Sequence, residues 1–265
     1  MNDIASTPER RLQMHAEPVA RLGFAAYDHR RGCQNLTQMD WYFGGRLACL
    51  GAVPGAAAVA LLAVLPPDRV VAGIASAWSK TDPDTLIACR LDAIDRYLSS
   101  GVRSDFDAPT TNALLRRAID ALEPAGHALF AAWRARGTRN DTLSDVWLST
   151  VTLREHRGAA HIAAWRAHGL TPPEILVLTE ASTGATIGSH ATTMMGWPGD
   201  AVRRAEASLA ERGWLADGAI TPVGRAARVE IECATDRQET PAVLALGFEL
   251  DVLCEQLALL TAPVR

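Results

Sequence analysis

The chain has 265 residues, 48% hydrophobic and 21% charged, with a formal net charge of −4 at pH 7. That balance describes a globular rather than a disordered protein, and the length holds one large domain or two of ordinary size. It excludes an overall basic field of the kind that draws in nucleic acid or an acidic membrane.

Residues 1–11 are polar and lack the apolar core of a signal peptide. A first helix is expected over 17–28 and a second over 37–49. A break at Gly51–Pro54 then leads into an alanine-rich helix over 55–65. The most apolar run, 52–65, is too short to span a bilayer and is flanked by Pro54 and Pro66. A short helix is expected over 68–76. Asp82-Pro83-Asp84 then caps an amphipathic helix to residue 98, with proline at the first turn and carboxylates at the positive end of the dipole.

Residues 99–109 are the candidate linker, which divides the chain into halves at 1–108 and 109–265. Helices follow over 110–122 and 125–134, a polar loop over 136–141, and a long helix over 144–168. Gly169–Pro173 breaks the chain, a helix starts at 174–181, and 183–189 form a Gly/Thr-rich turn. A strongly helical stretch runs from Trp197-Pro198-Gly199-Asp200 to Arg212. Asp217-Gly218 then turns between two short apolar strands. Helices over 223–236 and 242–260 complete the chain. The five cysteines, Cys33, Cys49, Cys89, Cys233 and Cys254, show no CxxC and no even framework, and read as reduced thiols of a cytoplasmic protein.

The segment 174–236 has the order helix, helix, two-strand wing, helix, and its "ERGWLADGAITPVGR" resembles the MarR-type winged helix. The bland alternative is an ordinary helix–hairpin–helix. The first half echoes the second at a nearly constant offset: Gly51-Ala-Val-Pro54 matches Gly169-Leu-Thr-Pro172, and Trp78 before Asp82 matches Trp197 before Asp200. Coincidence among alanine-rich helices is the competing explanation. The expected fold is mostly α: two tandem winged-helix-like halves, pseudo-dimeric, with one small two-strand wing.

Three stretches, "WYFGGRLACLGAVP", "TLREHRGAAHIAAW" and the winged segment ending "TDR", together resemble the SalK-like helix-turn-helix proteins found mainly in actinobacteria. The resemblance covers roughly residues 23–260. Where the family pattern has Asp-Gly after Leu-Arg-Glu-His-Arg-Gly, this chain has Ala159-Ala160, which puts in doubt any role of that acidic position. The resemblance implies the fold more firmly than a function and associates the chain with natural-product genes.

A winged helix that reads DNA concentrates positive charge on its recognition helix and wing. Here the recognition-helix candidate sets Asp200, Glu206 and Glu211 against Arg203, Arg204 and Arg212, and the wing holds Asp217 and no basic residue. DNA binding is therefore the lesser expectation.

Chemistry is more legible on the 144–168 helix. Thr150, Arg154, Arg157, His161 and His168 recur at steps of three, four and seven and line one face. Trp147, Val151, Gly158, Ile162 and Trp165 line the adjoining face, expected to pack on the core. Arg154 and Arg157 can grip a carboxylate, sulfate or phosphate through forked donors. His161, with an unperturbed pKa near neutrality, can serve as acid or base. The competing reading is a solvated charged face, and a glycine inside a helix, Gly158, argues for close approach by a ligand or another backbone.

The equivalent first-half helix carries Asp40, Trp41, Tyr42 and Arg46. Across a central cleft, Asp40 and Tyr42 would complement His161 as catalytic groups. Arg46, Arg154, Arg157 and His156 would bind substrate, and Trp41 and Trp165 would supply apolar walls. His29 beside Asp28 is a weaker candidate. His156 and His161 are five apart, too far around a helix for one metal, and "EHRGAAH" is not HExxH, so no metal is expected. No phosphate loop or dinucleotide fingerprint is present, so no cofactor is expected either. The expected partner is a small-molecule substrate or ligand, with no membrane and a monomer or homodimer. The leading expectation is a cofactor-independent tailoring enzyme performing proton transfer, elimination or cyclisation. A ligand-responsive MarR-like regulator is the alternative, and a non-catalytic metabolite-binding protein the third.

Overall fold

In a computed structural model, which describes residues 7–137 and 142–261, the chain is built from thirteen α-helices and one two-stranded hairpin. The polar starts at 1–6 and 138–141 fall outside the described residues. Helix α1 spans Pro8–Ala25, well before the expected 17–28. The signal is Thr7, whose side chain caps Arg10 N, followed by Pro8 in the first turn, where its missing N–H costs nothing. This earlier start carries Arg10 and Glu17 into ordered structure.

Helices α2 (Gln38–Leu47), α3 (Gly55–Leu61), α4 (Pro67–Trp78), α5 (Pro83–Ser99), α6 (Ala108–Asp120) and α7 (Ala128–Arg136) follow. The close packing of α2 on α4 and α5 explains Gly44 and Gly45, since a Cβ there would strike Leu86 and the Arg90 side chain. Asp82 caps α5 as the sequence suggests, accepting from Thr85 N at 2.9 Å.

Helix α8 (Leu143–Ala167) runs through the middle of the molecule and packs against α1, α5, α6, α7 and α12. Its start is a capping box: Thr142 Oγ1 accepts from Asp145 N and the Asp145 carboxylate accepts from Thr142 N. Helices α9 (Pro172–Thr183), α10 (Ser189–Thr193) and α11 (Gly199–Glu211) lead to strands β1 (Leu215–Ala216) and β2 (Ala219–Ile220). The hairpin pairs Leu215 with Ile220 and Ala216 with Ala219. Asp217 and Gly218 both have positive φ, as a two-residue primed turn requires.

Helix α12 (Pro222–Leu246) is continuous where the sequence suggested two helices, and α13 covers Leu250–Thr261. Pro241 lies inside α12 without ending it. The consequence is functional, because residues 228 to 239 form one rigid face toward α8.

The largest apolar core draws on α1, α5, α6, α8 and α13, from both sides of residue 108. A second core joins the end of α8 to α9, α11 and β1, and a third joins α2, α3 and α4. The reading of five reduced cysteines is corrected at one pair: Cys33 and Cys89 form a disulfide tying the loop before α2 to α5. The tie depends on proximity in space across 56 positions, which spacing alone cannot reveal. Cys49, Cys233 and Cys254 are free. No single helix among the described residues is long and apolar enough to cross a membrane.

Candidate functional site

A cavity of about 560 Å³ lies between α1, α3, α8 and α12, with the N-terminus of α7 at one edge. That volume suits a small organic ligand. From α8 it is lined by Arg154, Arg157, Gly158, His161 and Ile162. The helical spacing of the two arginines and His161 therefore does bring them to one hollow. Arg46 joins them from α2.

Around the hollow, guanidinium and carboxylate groups interlock. Arg157 Nη2 donates to Asp236 Oδ1 at 2.6 Å and lies 3.4 Å from Glu232. Glu232 also accepts from Arg10 of α1 and Arg228 of α12. Three guanidinium groups thus meet two carboxylates in a partly desolvated place, while Glu9, Glu17, Glu155 and Glu239 also line the hollow. Burial first, then Arg10 and Arg157, lowers Arg228 to about 10. Arg10 is lowered by burial and Arg157, with Asp236 opposing. On the other side, Arg46 holds Glu155 with a two-pronged contact at 2.9 and 2.6 Å, and Arg154 donates to Glu17 at 2.9 Å. Burial would raise the Glu155 carboxyl, but Arg46, then Arg154 and Arg90, hold it below the ordinary range.

His161 sits beside this cluster. Burial first, then the charges of Arg228, Arg157 and Arg10, push it from 6.5 down to about 3. That shift favours the neutral imidazole at neutral pH, although Glu232 also stands 3.9 Å from Nδ1. Its tautomer follows from Thr235, whose hydroxyl donates to the Ile231 carbonyl at 2.9 Å. That oxygen, 3.2 Å from His161 Nδ1, is then an acceptor, so the proton sits on Nδ1 and Nε2 carries the lone pair.

Other expected residues lie elsewhere. Asp40 is buried as the N3 partner of the α2 capping box: it accepts from Thr37 N at 2.8 Å and from Lys80 Nζ at 2.6 Å. Burial raises its pKa, but Lys80, Ser76 and Thr37 outweigh that and bring it to about 2. It is a helix cap outside the cavity. Tyr42 stacks on Phe24 with ring centroids 5.4 Å apart, and its hydroxyl reaches Arg46 rather than the hollow. Trp41 is core, its Nε1 donating to Gly23 O at 2.8 Å. Trp165 is buried in the second core. His156 is buried behind the wall, with Nδ1 2.5 Å from Glu239 and its ring stacked on His127 at 4.0 Å. The α2 and α8 helices thus do not face each other across the cleft as the pseudo-twofold expectation had it; Arg46 alone reaches it from α2.

The adjoining face is corrected too. Trp147, Val151 and Trp165 pack in the core, Ile162 packs against the second core while also lining the hollow, and Gly158 lines the hollow. Thr150 is fully buried and bonds its own helix at Trp147 O, and His168 closes the end of α8. His29 borders a smaller recess, where Arg30 stacks over Tyr27 at 3.4 Å and Arg96 donates to the His29 carbonyl, a polar helix end.

Arg10, Arg228, Glu232, Thr235, Asp236 and Glu239 escaped sequence reading. Arg228, Glu232 and Asp236 recur at steps of four on α12, the same kind of signal that marked α8. All three lie within the helix expected over 223–236, so the signal was present in the sequence and only Glu239 fell beyond that helix. Among the described residues, no group of three or more His, Cys, Asp and Glu is placed to hold a metal.

Next to the hairpin, Arg203 and Arg204 of α11 are exposed and Arg204 is paired with Asp200 at 2.6 Å. No curated protein and no solved structure matches the chain. A family model described as a helix-turn-helix family matches residues 9–265. On that match, which spans almost the whole length, the chain belongs to this helix-turn-helix family.

Proposed function

We propose that the protein binds a small anionic or polar metabolite in the α1/α3/α8/α12 cavity and acts on it as a cofactor-independent enzyme. The reaction class is proton transfer, elimination or cyclisation. One observation carries the reading: His161, its tautomer set by Thr235, lines a ligand-sized hollow beside the guanidinium groups of Arg10, Arg157 and Arg228. Perturbed titratable groups in a cleft favour a functional site.

In this reading an acidic group on the ligand enters near Arg10, Arg157 and Arg228. Its negative charge offsets the arginine charges that add to burial in lowering His161, and so raises the basicity of Nε2. The imidazole then accepts a proton from the bound ligand and can return it later in the reaction. Arg154 orients the ligand from the adjacent turn. The assignment to natural-product biosynthesis is supported by the SalK-like resemblance. The echo between the halves is supported by element order: α2 to α5 in the first half correspond to α8 to α11 in the second, with the hairpin, among the described residues, following α11 alone. We read this as a duplicated winged helix whose first wing is lost, with halves at 1–108 and 109–265.

A thermal-shift panel of small carboxylates and phosphates tests the binding, followed by turnover of the ligand found. His161→Gln should keep binding and lose turnover. Undiminished product formation in a variant lacking both His161 and Arg157 overturns the proposal. The second reading, a ligand-responsive regulator, is favoured by the α11–hairpin arrangement and by family membership. A duplex-DNA mobility shift abolished by Arg203→Ala and Arg204→Ala would support it.

A further inference from the structure

Gly158 is placed mid-helix in α8, at a position where alanine is strongly preferred on backbone grounds. Glycines inside helices usually have a local reason. At Gly23, Gly45 and Gly73 an added Cβ would collide with Trp147, Arg90 and Phe43 respectively. At Gly158 there is no such neighbour: nothing lies within 4 Å of a Cβ built there, and its φ is not positive. Neither packing nor backbone conformation accounts for the residue. Gly158 lines the cavity, whose lining also includes Ala60, Ala63 and Val64 around the end of α3.

We propose that Gly158 is the floor of the ligand's seat and the residue that sets ligand size, and that the ligand is an amphipathic organic acid. Its apolar portion lies on α8 over Gly158, between Arg154 and Ile162, against Ala60–Val64. Its acid group points to the Arg157/Arg10/Arg228 cluster. The inference rests on the cavity being a binding site and deepens that reading by assigning the ligand's chemical class and its contact surface. The lining has both characters the ligand needs: charged groups stand on α1, α2, α8 and α12, and the stretch Ala60–Val64 is wholly apolar, with Ile162 and Leu129 adding apolar surface.

The test uses 8-anilinonaphthalene-1-sulfonate, a fluorescent aromatic sulfonate that matches this chemistry, titrated into the full-length protein. Saturable binding is expected in the unaltered protein. Gly158→Leu should weaken it by on the order of tenfold, because the side chain fills the seat. Gly158→Ala should weaken it less while raising the melting temperature. Ala60→Trp, at an exposed position on the opposite wall, should also weaken binding. If Ala60→Trp weakens binding and a folded Gly158→Leu does not, the seat lies elsewhere in the cavity and the proposal falls while the binding site stands. Absence of saturable binding in the unaltered protein, or binding indifferent to both substitutions, overturns both.

Discussion

Arg157 of α8 and Asp236 of α12 meet at 2.6 Å across 79 positions of sequence, and both are buried. The pair fastens the two longest helices together at the edge of the cavity, so the same contact holds the fold and shapes the site. A guanidinium in such a place needs its carboxylate, because an unpaired buried charge is far more costly than no charge.

Asp236→Asn should therefore destabilise the protein by about 3 kcal/mol, the usual scale for breaking one side of a buried ion pair. Urea unfolding at pH 7 measures it. A loss within the range of exposed pairs, about 0.5 kcal/mol, would show that Glu232 alone satisfies Arg157.

His161 ties stability to pH with a definite sign. Its folded-state value of about 3 lies below the ordinary 6.5, so the unfolded chain takes up the proton first. Stability is complete above about pH 6.5 and declines as pH falls toward 3. His161→Gln should flatten part of that acid-side decline in thermal melts between pH 7 and 4. In NMR spectra, the His161 ring should show no titration step between pH 5 and 8. A step there would place the ring outside the field of Arg228 and Arg157.

Gly158→Ala should stabilise the free protein by about 1 kcal/mol, the difference in helix preference between the two residues. No neighbouring atom opposes the added methyl. Calorimetry decides this; a lower melting temperature would mean that the wall around Gly158 is closer than the structure has it.

The Cys33–Cys89 disulfide closes a loop across 56 positions, and loop-closure entropy then sets its contribution at about 4 kcal/mol or less. Denaturation with and without reductant should differ by an amount of that order, and Cys33→Ser with Cys89→Ser should abolish the difference. Two free thiols at these positions in alkylation mass spectrometry of the native protein would sink the expectation.

Duplex DNA at moderate salt should bind weakly and with little salt dependence, because α11 balances its charges and the hairpin has Asp217 and no basic residue. A steep salt slope in fluorescence anisotropy would restore the regulator as the leading reading.

The helices, their caps and the hairpin turn were readable because each depends on neighbours a few positions away. Asp82 before Pro83, Asp217-Gly218 between two apolar pairs, and the three- and four-residue steps of Arg154, Arg157 and His161 are all local signals. Periodicity placed those three side chains on one face, but it could not say what that face would meet. Asp40 illustrates the limit: its chemistry suits catalysis equally well, and only the packed chain shows it spent on Thr37 and Lys80. Gly158 shows the converse. Its place inside a helix suggested close approach by a ligand or another backbone, and only the folded chain shows no backbone near it and a cavity in front. Helix geometry is a short-range property of the backbone and is written into the order of residues. Which faces come together, and therefore which charges are buried, paired or left beside a hollow, depends on burial summed over segments far apart in the chain, and only the folded molecule decides it.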